Sequence, residues 1–306
     1  MITIRLDAAA VSRVRVAVSP VMEAVGLLRL AAAGRAHPIF GDPGAAARFA
    51  LRDPDVRAVA AALGTEDAWD FPDLLTPRPL PVRDVLSDQL ERLRATDEAR
   101  VEAQLTDMHR LRRWIPTDGF PARAAAGLAR FFAVAMADQW PAHLTMLEGD
   151  VRDRAVQMAT GGVGALLSSL HTRATWTGEA VLVRCGSEVH VDSTGQELVI
   201  APSAMCWPDL LVQSQDPTDV VLFAPARSLG TPRPHRGVDR LIGPTRARLL
   251  NDLETPRSTG ELAARHSLAA ATVSHHLSVL HESGQVTRHR DGRRVFYQRA
   301  DARVLA

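Results

Sequence analysis

The side chains best suited to contact another molecule lie near the C-terminus. Four hydrogen-bonding side chains are followed closely by four arginines: Thr272, Ser274, His275, Ser278, Arg288, Arg290, Arg293 and Arg294. Hydroxyl and imidazole groups can donate and accept hydrogen bonds, and each guanidinium presents a rigid fork of donors that fits a phosphate. Together these groups suit a polyanion whose edges also offer hydrogen-bonding atoms, as a nucleic acid does.

The spacing of apolar residues predicts the helix that positions the first four side chains. Val273, Leu277 and Leu280 recur at i, i+4 and i+7, which indicates one buried helix face. We expect this helix over residues 270–283, with Gly284 as its C-terminal cap. The polar side chains would then project from the opposite, exposed face.

Two shorter helices are predicted just before this one. The first runs from Pro244 to about Glu254, and the second begins at the capping box Ser258-Thr259-Gly260-Glu261. A tight turn over residues 266–268 separates it from the polar helix. Two short helices, a tight turn and a third helix are typical of a helix-turn-helix motif.

The arginines belong to a predicted β-hairpin. Residues 285–290 and 293–298 are strand-like, and Asp291-Gly292 is predicted to form the two-residue turn between them. All four arginines flank that turn, which gives a hairpin with a cationic tip. A β-hairpin after a helix-turn-helix is called a wing, and solvated arginines without a partner are the alternative interpretation.

These motifs resemble the ArsR/SmtB winged helix-turn-helix regulators. The similar segments are residues 243–250, 259–263 and 272–280 together with Gly284, within a region of about 240–300. The resemblance implies that the polar helix, with Thr272 at its start, faces the DNA major groove. It also implies that the arginine wing contacts phosphate or the minor groove. Residues 1–240 are similar, at a few positions, to the long N-terminal extension of some actinobacterial ArsR-like regulators.

The chain departs from that family at several points. His275 and Ser278 stand where the family often has basic residues, so the wing should contribute more of the affinity. His276, beside the buried Leu277, is expected to make an internal hydrogen bond rather than to contact a base. The metal-sensing cysteines of the family are absent, and so is the terminal dimer helix, since the sequence ends at Ala306. We therefore expect no metal sensing, and dimerisation through the N-terminal region.

The fold class predicted for the chain is α+β and predominantly helical. Residues 1–237 should form a mostly helical N-terminal domain with a small antiparallel β element of hairpins near 180–224. Residues 238–306 should form the winged helix-turn-helix domain. The stiff, basic segment 231–237 is the predicted linker.

Composition narrows the class of protein. The 306 residues include 36 basic ones, all arginine, and the net charge is +1. Residues 240–306 hold 11 arginines against 6 acidic residues, a net of +5, so the basic end should meet a polyanion. Two cysteines exclude a disulfide scaffold. Early charges argue against a secretory signal, and no uncharged apolar run reaches about 18 residues, so we expect a cytoplasmic protein without a membrane span.

Other candidate sites are weaker. Cys185 and Cys206 could form a redox pair, although buried free thiols are commoner. A metal cluster could use His143, Glu148, Asp150 and His171, but their spacing fits no ligand pattern. Aromatic residues could line an effector pocket, although core packing explains them equally well: Trp114, Trp140, Trp176, Trp207, Phe131 and Phe132. Glycines 161 and 162 follow a helix rather than a strand and do not suggest a nucleotide loop.

The sequence leads to two hypotheses of different classes. The first is a DNA-binding transcriptional regulator, expected to be a repressor that binds a palindromic operator as a homodimer, with a possible small-molecule effector. The second is an enzymatic or small-molecule-binding N-terminal domain whose winged helix docks a protein. No catalytic motif is present in the sequence, so we expect neither an enzyme nor a cofactor.

Overall fold

The computed structural model describes residues 1–63, 71–80, 85–107, 119–186, 188–214, 218, 220–227, 243–253, 256–291 and 294–300. The chain divides into an N-terminal unit, residues 1–226, and a C-terminal unit, residues 227–306. The predicted boundary between residues 237 and 238 lies outside the described residues, as do Trp114 and Arg293.

The described part of the N-terminal unit contains these helices: α1 Ala8–Ser12, α2 Pro20–Ala32, α3 Gly44–Ala50, α4 Pro54–Leu63, α5 Leu86–Arg94, α6 Glu98–Asp107, α7 Phe120–Ala135 and α8 Trp140–Ser168. Local signals account for several of their ends. The Ser19 hydroxyl accepts the Met22 N–H at 3.2 Å, which caps α2. Gly162 interrupts α8 with a φ of 77°.

The helices α2, α3, α4, α5 and α7 enclose one apolar core. Leu28, Val59, Leu93, Leu128 and Phe131 are among its fully buried members. Side chains of this core are largely aliphatic, in keeping with the low aromatic content of the chain.

Two four-stranded sheets make up the rest of the unit. Their strands are β1 Ile2–Arg5, β2 Arg15–Val16, β3 Ala174–Trp176, β4 Ala180–Val183, β5 Val189–Asp192, β6 Val199–Ser203, β7 Leu211–Gln213 and β8 Val221–Pro225. The first sheet has the order β3-β4-β1-β5 and the second β2-β6-β8-β7. Residues of both sheets, with Leu166 and Leu167 of α8, share a second apolar core.

The α+β fold class is confirmed, but the expected antiparallel arrangement of the strands is wrong in part. Strand β1 pairs parallel to β5, and β6 pairs parallel to both β2 and β8. The reason is that β6 and β8 are buried on both faces. Val199 and Val221 face a cluster with Met22 of α2, whereas Ile200 and Leu222 face the core shared by the two sheets. Doubly buried strands are typical of parallel pairing.

One glycine sets the distance between two helices of the helical core. A Cβ at Gly127 of α7 would lie 2.6 Å from the backbone carbonyl of Asp55 in α4. We expect Gly127→Ala to destabilise the N-terminal unit by about 1–3 kcal/mol, because backbone atoms cannot move aside cheaply. Urea unfolding followed by tryptophan fluorescence measures this. The matched control is Gly149→Ala in α8, where a Cβ meets nothing within 4 Å and stability should hold or rise. Equal effects of the two substitutions would contradict the close packing.

The described part of the C-terminal unit has three helices and three strands. They are α9 Pro244–Asp252, β9 Arg257–Ser258, α10 Thr259–His266, α11 Ala270–Glu282, β10 Val286–Asp291 and β11 Arg294–Arg299. The strands form one antiparallel sheet in the order β10-β11-β9. The predicted winged helix-turn-helix fold of this unit is confirmed.

No single helix within the described ranges is long and apolar enough to cross a membrane. Helices α7 and α8 reach that length and composition only when counted together, and they are bent by 105° relative to each other.

Candidate nucleic-acid interface

Helix α11 presents the predicted polar side chains on its surface. Thr272, Ser274, His275 and Ser278 are all exposed. The opposite face is fully buried, with Val273 and Leu277 at 0% exposure and Leu280 at 1%. The 3.6-residue period therefore separated the two faces correctly, and the structure brings these four polar side chains together on the surface of one helix.

Local backbone and capping interactions define where α10 and α11 begin and end. The Ser258 hydroxyl accepts the Glu261 N–H, and the Glu261 carboxylate accepts the Ser258 N–H, so the predicted capping box is present. Ser267 ends α10 with a positive φ of 54°, which makes the turn between the two helices tight. Gly284 ends α11 with a φ of 71°, as a C-terminal glycine cap does.

The three wing arginines that the structure describes lie on two faces of the hairpin rather than in one cluster. Arg288 pairs with Tyr297, and Arg290 with Val295, so these two arginines share the face that Tyr297 and Val295 turn to the core. Both arginines are nevertheless exposed. Arg294 pairs with Asp291 and lies on the other face. Asp291 is thus the last residue of β10 and not part of the turn, one residue away from the prediction.

Arg294 is already engaged within the unit. Its Nη2 donates to the Glu261 carboxylate at 2.8 Å, and its guanidinium lies 4.7 Å from the centre of the Phe296 ring. Glu261 also belongs to the capping box, so this contact joins the wing to the start of α10. About half of the Arg294 side chain, 47%, stays exposed. Arg294 can therefore fix the wing and still present donors to a phosphate.

His276 is half-buried between the core and the exposed face. The internal hydrogen bond predicted for it is missing at Nδ1, which is buried and has no partner among the residues that the structure describes. Burial lowers the pKa of His276, and the positive charge of Arg246 and the neighbouring His275 lower it further. The imidazole is therefore neutral at neutral pH.

A carboxylate at the end of α9 connects this helix to α10, and no sequence pattern indicated it. Asp252 is 14% exposed and accepts from Arg265 at 2.7 Å and from His266 at 3.0 Å, with Arg257 Nε at 3.3 Å. These contacts connect α9 to both ends of α10. The positions of these four side chains follow from tertiary packing, so no spacing in the sequence could have indicated the cluster.

We expect Asp252→Asn to destabilise the C-terminal unit by about 2 kcal/mol, because several charge-assisted hydrogen bonds lose their anion. Hydrogen–deuterium exchange of the full chain should show faster exchange in peptides from 244–300 and unchanged exchange before residue 226. Glu282→Gln, at an exposed carboxylate of α11, is the control and should leave the exchange unchanged. Unaltered protection in Asp252→Asn would mean that the cluster contributes little.

The residues considered for a metal cluster and for a redox pair in the N-terminal unit do not form either site. No group of three or more potential metal ligands occurs in the described ranges, and the His143, Asp150 and His171 side chains instead bond to Glu23, Arg154 and the Pro208 carbonyl. Neither Cys185 nor Cys206 forms a disulfide. Cys185 is exposed, whereas Cys206 is fully buried and its pKa is raised, first by burial and then by the charge of Glu23.

The predicted aromatic set is distributed over separate parts of the unit. Phe131 and Phe132 are buried in the helical core, and Trp140 packs beside them. Trp176 packs against the core that the two sheets share. Trp207 lies 6.3 Å from the ring of His37, a residue that the sequence did not single out. Core packing is thus the role of Phe131, Phe132 and Trp176.

One comparison with known protein families agrees with the fold of the C-terminal unit. A family model described as a helix-turn-helix domain matches residues 241–288. Two structures of HlyU from Vibrio cholerae are similar, each with a TM-score of 0.20. The reduced form is 28% identical and covers 22% of this chain and 72% of its own, and the other is 24% identical and covers 24% and 86%. No curated protein sequence matches. The C-terminal unit is a helix-turn-helix domain of the kind that binds DNA.

Proposed function

We propose that this chain is a transcriptional repressor of the ArsR type that binds a palindromic DNA operator as a homodimer. The observation that carries the proposal is the exposed polar face of α11, held on a rigid three-helix core and followed by a basic wing. A helix of this kind fits the major groove, where hydroxyl and imidazole groups can reach base edges.

The helix and the wing should contribute differently to DNA binding because their side chains differ in charge. Thr272, Ser274, His275 and Ser278 carry no fixed positive charge, so they can add sequence selectivity but little general affinity. Arg288 and Arg290, with Arg293 and Arg294, would supply phosphate contacts, each adding about 0.9 to the slope of log affinity against log salt. The protein should therefore bind strongly only at low or moderate salt.

The homodimer is proposed because a two-fold protein matches a two-fold operator, with the two α11 helices about 34 Å apart in successive major grooves. We assign dimerisation and the reception of a possible effector to the N-terminal unit. An effector there could act only by binding the DNA-competent and the incompetent arrangements with different affinity. We assign no catalytic role to the chain, and we place it in the cytoplasm, where a bacterial regulator meets DNA.

Selection of genomic fragments by the purified full-length protein, at two salt concentrations, tests the proposal. A short inverted repeat recovered at both concentrations is the expected result. Weak, sequence-independent retention that disappears at the higher concentration would count against operator binding. The winged helix would then be better explained as a protein-docking module.

A further inference from the structure

We propose that the N-terminal unit binds a small organic cation, an ammonium group attached to hydrocarbon, at an aromatic-walled site around the buried carboxylate of Glu23. Binding by this unit goes beyond the proposed function. Only the further step, that such a ligand would regulate DNA binding, rests on that function.

The carboxylate of Glu23 is buried and only half satisfied. Glu23 is 0% exposed, and its Oε2 accepts from the Ala204 N–H at 3.3 Å and lies 2.5 Å from His143 Nε2. Its Oε1 is also buried but has no hydrogen-bond partner within the described part of the chain. A buried carboxylate oxygen rarely stays without a donor, so this atom marks the place of a missing one.

Aromatic rings form a continuous chain that includes His143, the ring in contact with this carboxylate. The rings of Trp207 and His37 are 6.3 Å apart, and those of His37 and Phe40 are 4.9 Å apart. His143 follows, 5.9 Å from Phe40 and 5.7 Å from Trp140. Aromatic faces beside an anion are the usual chemistry for an ammonium ligand, since the cation interacts with both.

The backbone of Ala204 contacts both Glu23 and His37. Its N–H bonds to Glu23, and its carbonyl lies 3.1 Å from His37 Nε2. His37 Nδ1 accepts the backbone N–H groups of Ile39 and Phe40, so Nε2 carries the proton and the ring is neutral. His37 therefore adds an aromatic wall and no positive charge. Ala204 directly follows β6, at the carboxyl end of a strand with parallel neighbours, where ligands bind in many α/β sheets.

The charges around the site favour a cation. The nearby Cys206 thiol has a raised pKa because it is buried and because Glu23 and Asp209 are negative, and only Arg154 acts in the opposite direction among the charges that influence it. His143 faces Glu23 from α8, and Asp209 is paired with Arg173 at 3.1 Å. A ligand ammonium would give Oε1 of Glu23 its donor.

Phe40 brings the aromatic chain to the surface of the unit. The residues from His37 to Gly41 form a tight loop closed by two backbone hydrogen bonds of 2.7 and 2.8 Å. Phe40 is 46% exposed, although its ring contacts those of His37 and His143, which are largely buried. The aromatic chain thus extends from solvent to the buried carboxylate.

The test uses the full-length protein with 2-phenylethylamine and tetramethylammonium as probes, and 2-phenylethanol as the neutral counterpart of the first. Thermal unfolding and tryptophan fluorescence are recorded at neutral pH with millimolar ligand and without DNA. We expect at least one of the two cations to raise the melting temperature and change the fluorescence, and the alcohol to do neither. Glu23→Gln should abolish the effect of the cation.

Because Glu23→Gln could impair folding, Phe40→Leu provides a second variant at the exposed loop. It should weaken cation binding about tenfold through loss of the aromatic face. Phe49→Leu, at a 58% exposed phenylalanine of α3, is the matched control and should bind as the parent does. Equal shifts with amine and alcohol, unchanged binding in Phe40→Leu, or no shift with either cation would overturn the proposal. Operator selection is a separate experiment, so failure of the site and failure of the regulator hypothesis are distinguishable.

Discussion

Replacing Ser274 and His275 together by alanine should abolish operator preference while the C-terminal unit stays folded. Both side chains are exposed, so their removal leaves the buried face of α11 intact. A good contact to a base edge is worth about 1–3 kcal/mol, so losing two should weaken operator binding on the order of 100-fold or more. Competition between operator and unrelated DNA, read by fluorescence anisotropy, measures the change.

Two further variants distinguish recognition of bases from general binding to DNA. Ser283→Ala removes an exposed hydroxyl just after α11 that bonds to the Leu280 carbonyl at 3.1 Å, and it should leave the operator preference unchanged. Arg288→Ala should weaken binding to all DNA alike and lower the salt slope by about 0.9. If the Ser274 and His275 double variant keeps full operator affinity, the assignment of α11 to the groove is wrong.

The second large effect concerns a buried ion pair in the N-terminal unit. The Asp150 and Arg154 side chains of α8 are both 0% exposed and bond to each other, and Arg154 Nη2 donates to the Pro225 carbonyl at 3.0 Å. Asp150→Ala would leave a buried guanidinium without its anion, so we expect a loss of about 3–5 kcal/mol in the free energy of unfolding. Urea unfolding followed by tryptophan fluorescence is the measurement.

Two further sets of substitutions serve as controls for the Asp150–Arg154 pair. Glu91→Ala breaks the exposed Glu91–Arg94 pair of α5, whose side chains are 71% and 54% exposed, and should change stability by less than about 1 kcal/mol. Replacing Asp150 and Arg154 together by leucine and methionine should restore much of the loss, because no buried charge then remains. A loss no larger than that of Glu91→Ala would show that water reaches Arg154.

Local signals made the C-terminal unit predictable. The capping box at Ser258, the apolar period of α11 and the glycine cap at Gly284 each act within a few residues, and the structure contains all three. The same period identified which side chains of α11 are exposed. The contacts of Asp252 and of Arg294 depend on tertiary packing and could not be read from spacing.

Local sequence signals could not predict which strands pair or which residues surround Glu23. Strand β1 pairs with strands about 180 residues further along, and β6 pairs parallel with β2, about 180 residues earlier, as well as with the nearer β8. Short β-branched runs indicate that strands exist but not which strands pair. Glu23, His37, His143 and Ala204 come from four separate segments. The one local signal at Glu23 is an acidic residue in the first turn of an otherwise apolar helix, which is equally typical of an ordinary helix start.

The central position of β1 has a consequence for how the protein is made. Residues 2–5 are synthesised long before their neighbours in the sheet, β4 and β5, which begin only at residue 180. Contacts this distant in sequence slow folding, and the nascent chain must keep an apolar strand unpaired until then. We therefore expect the N-terminal unit to fold late in translation, when the C-terminal unit is already being synthesised.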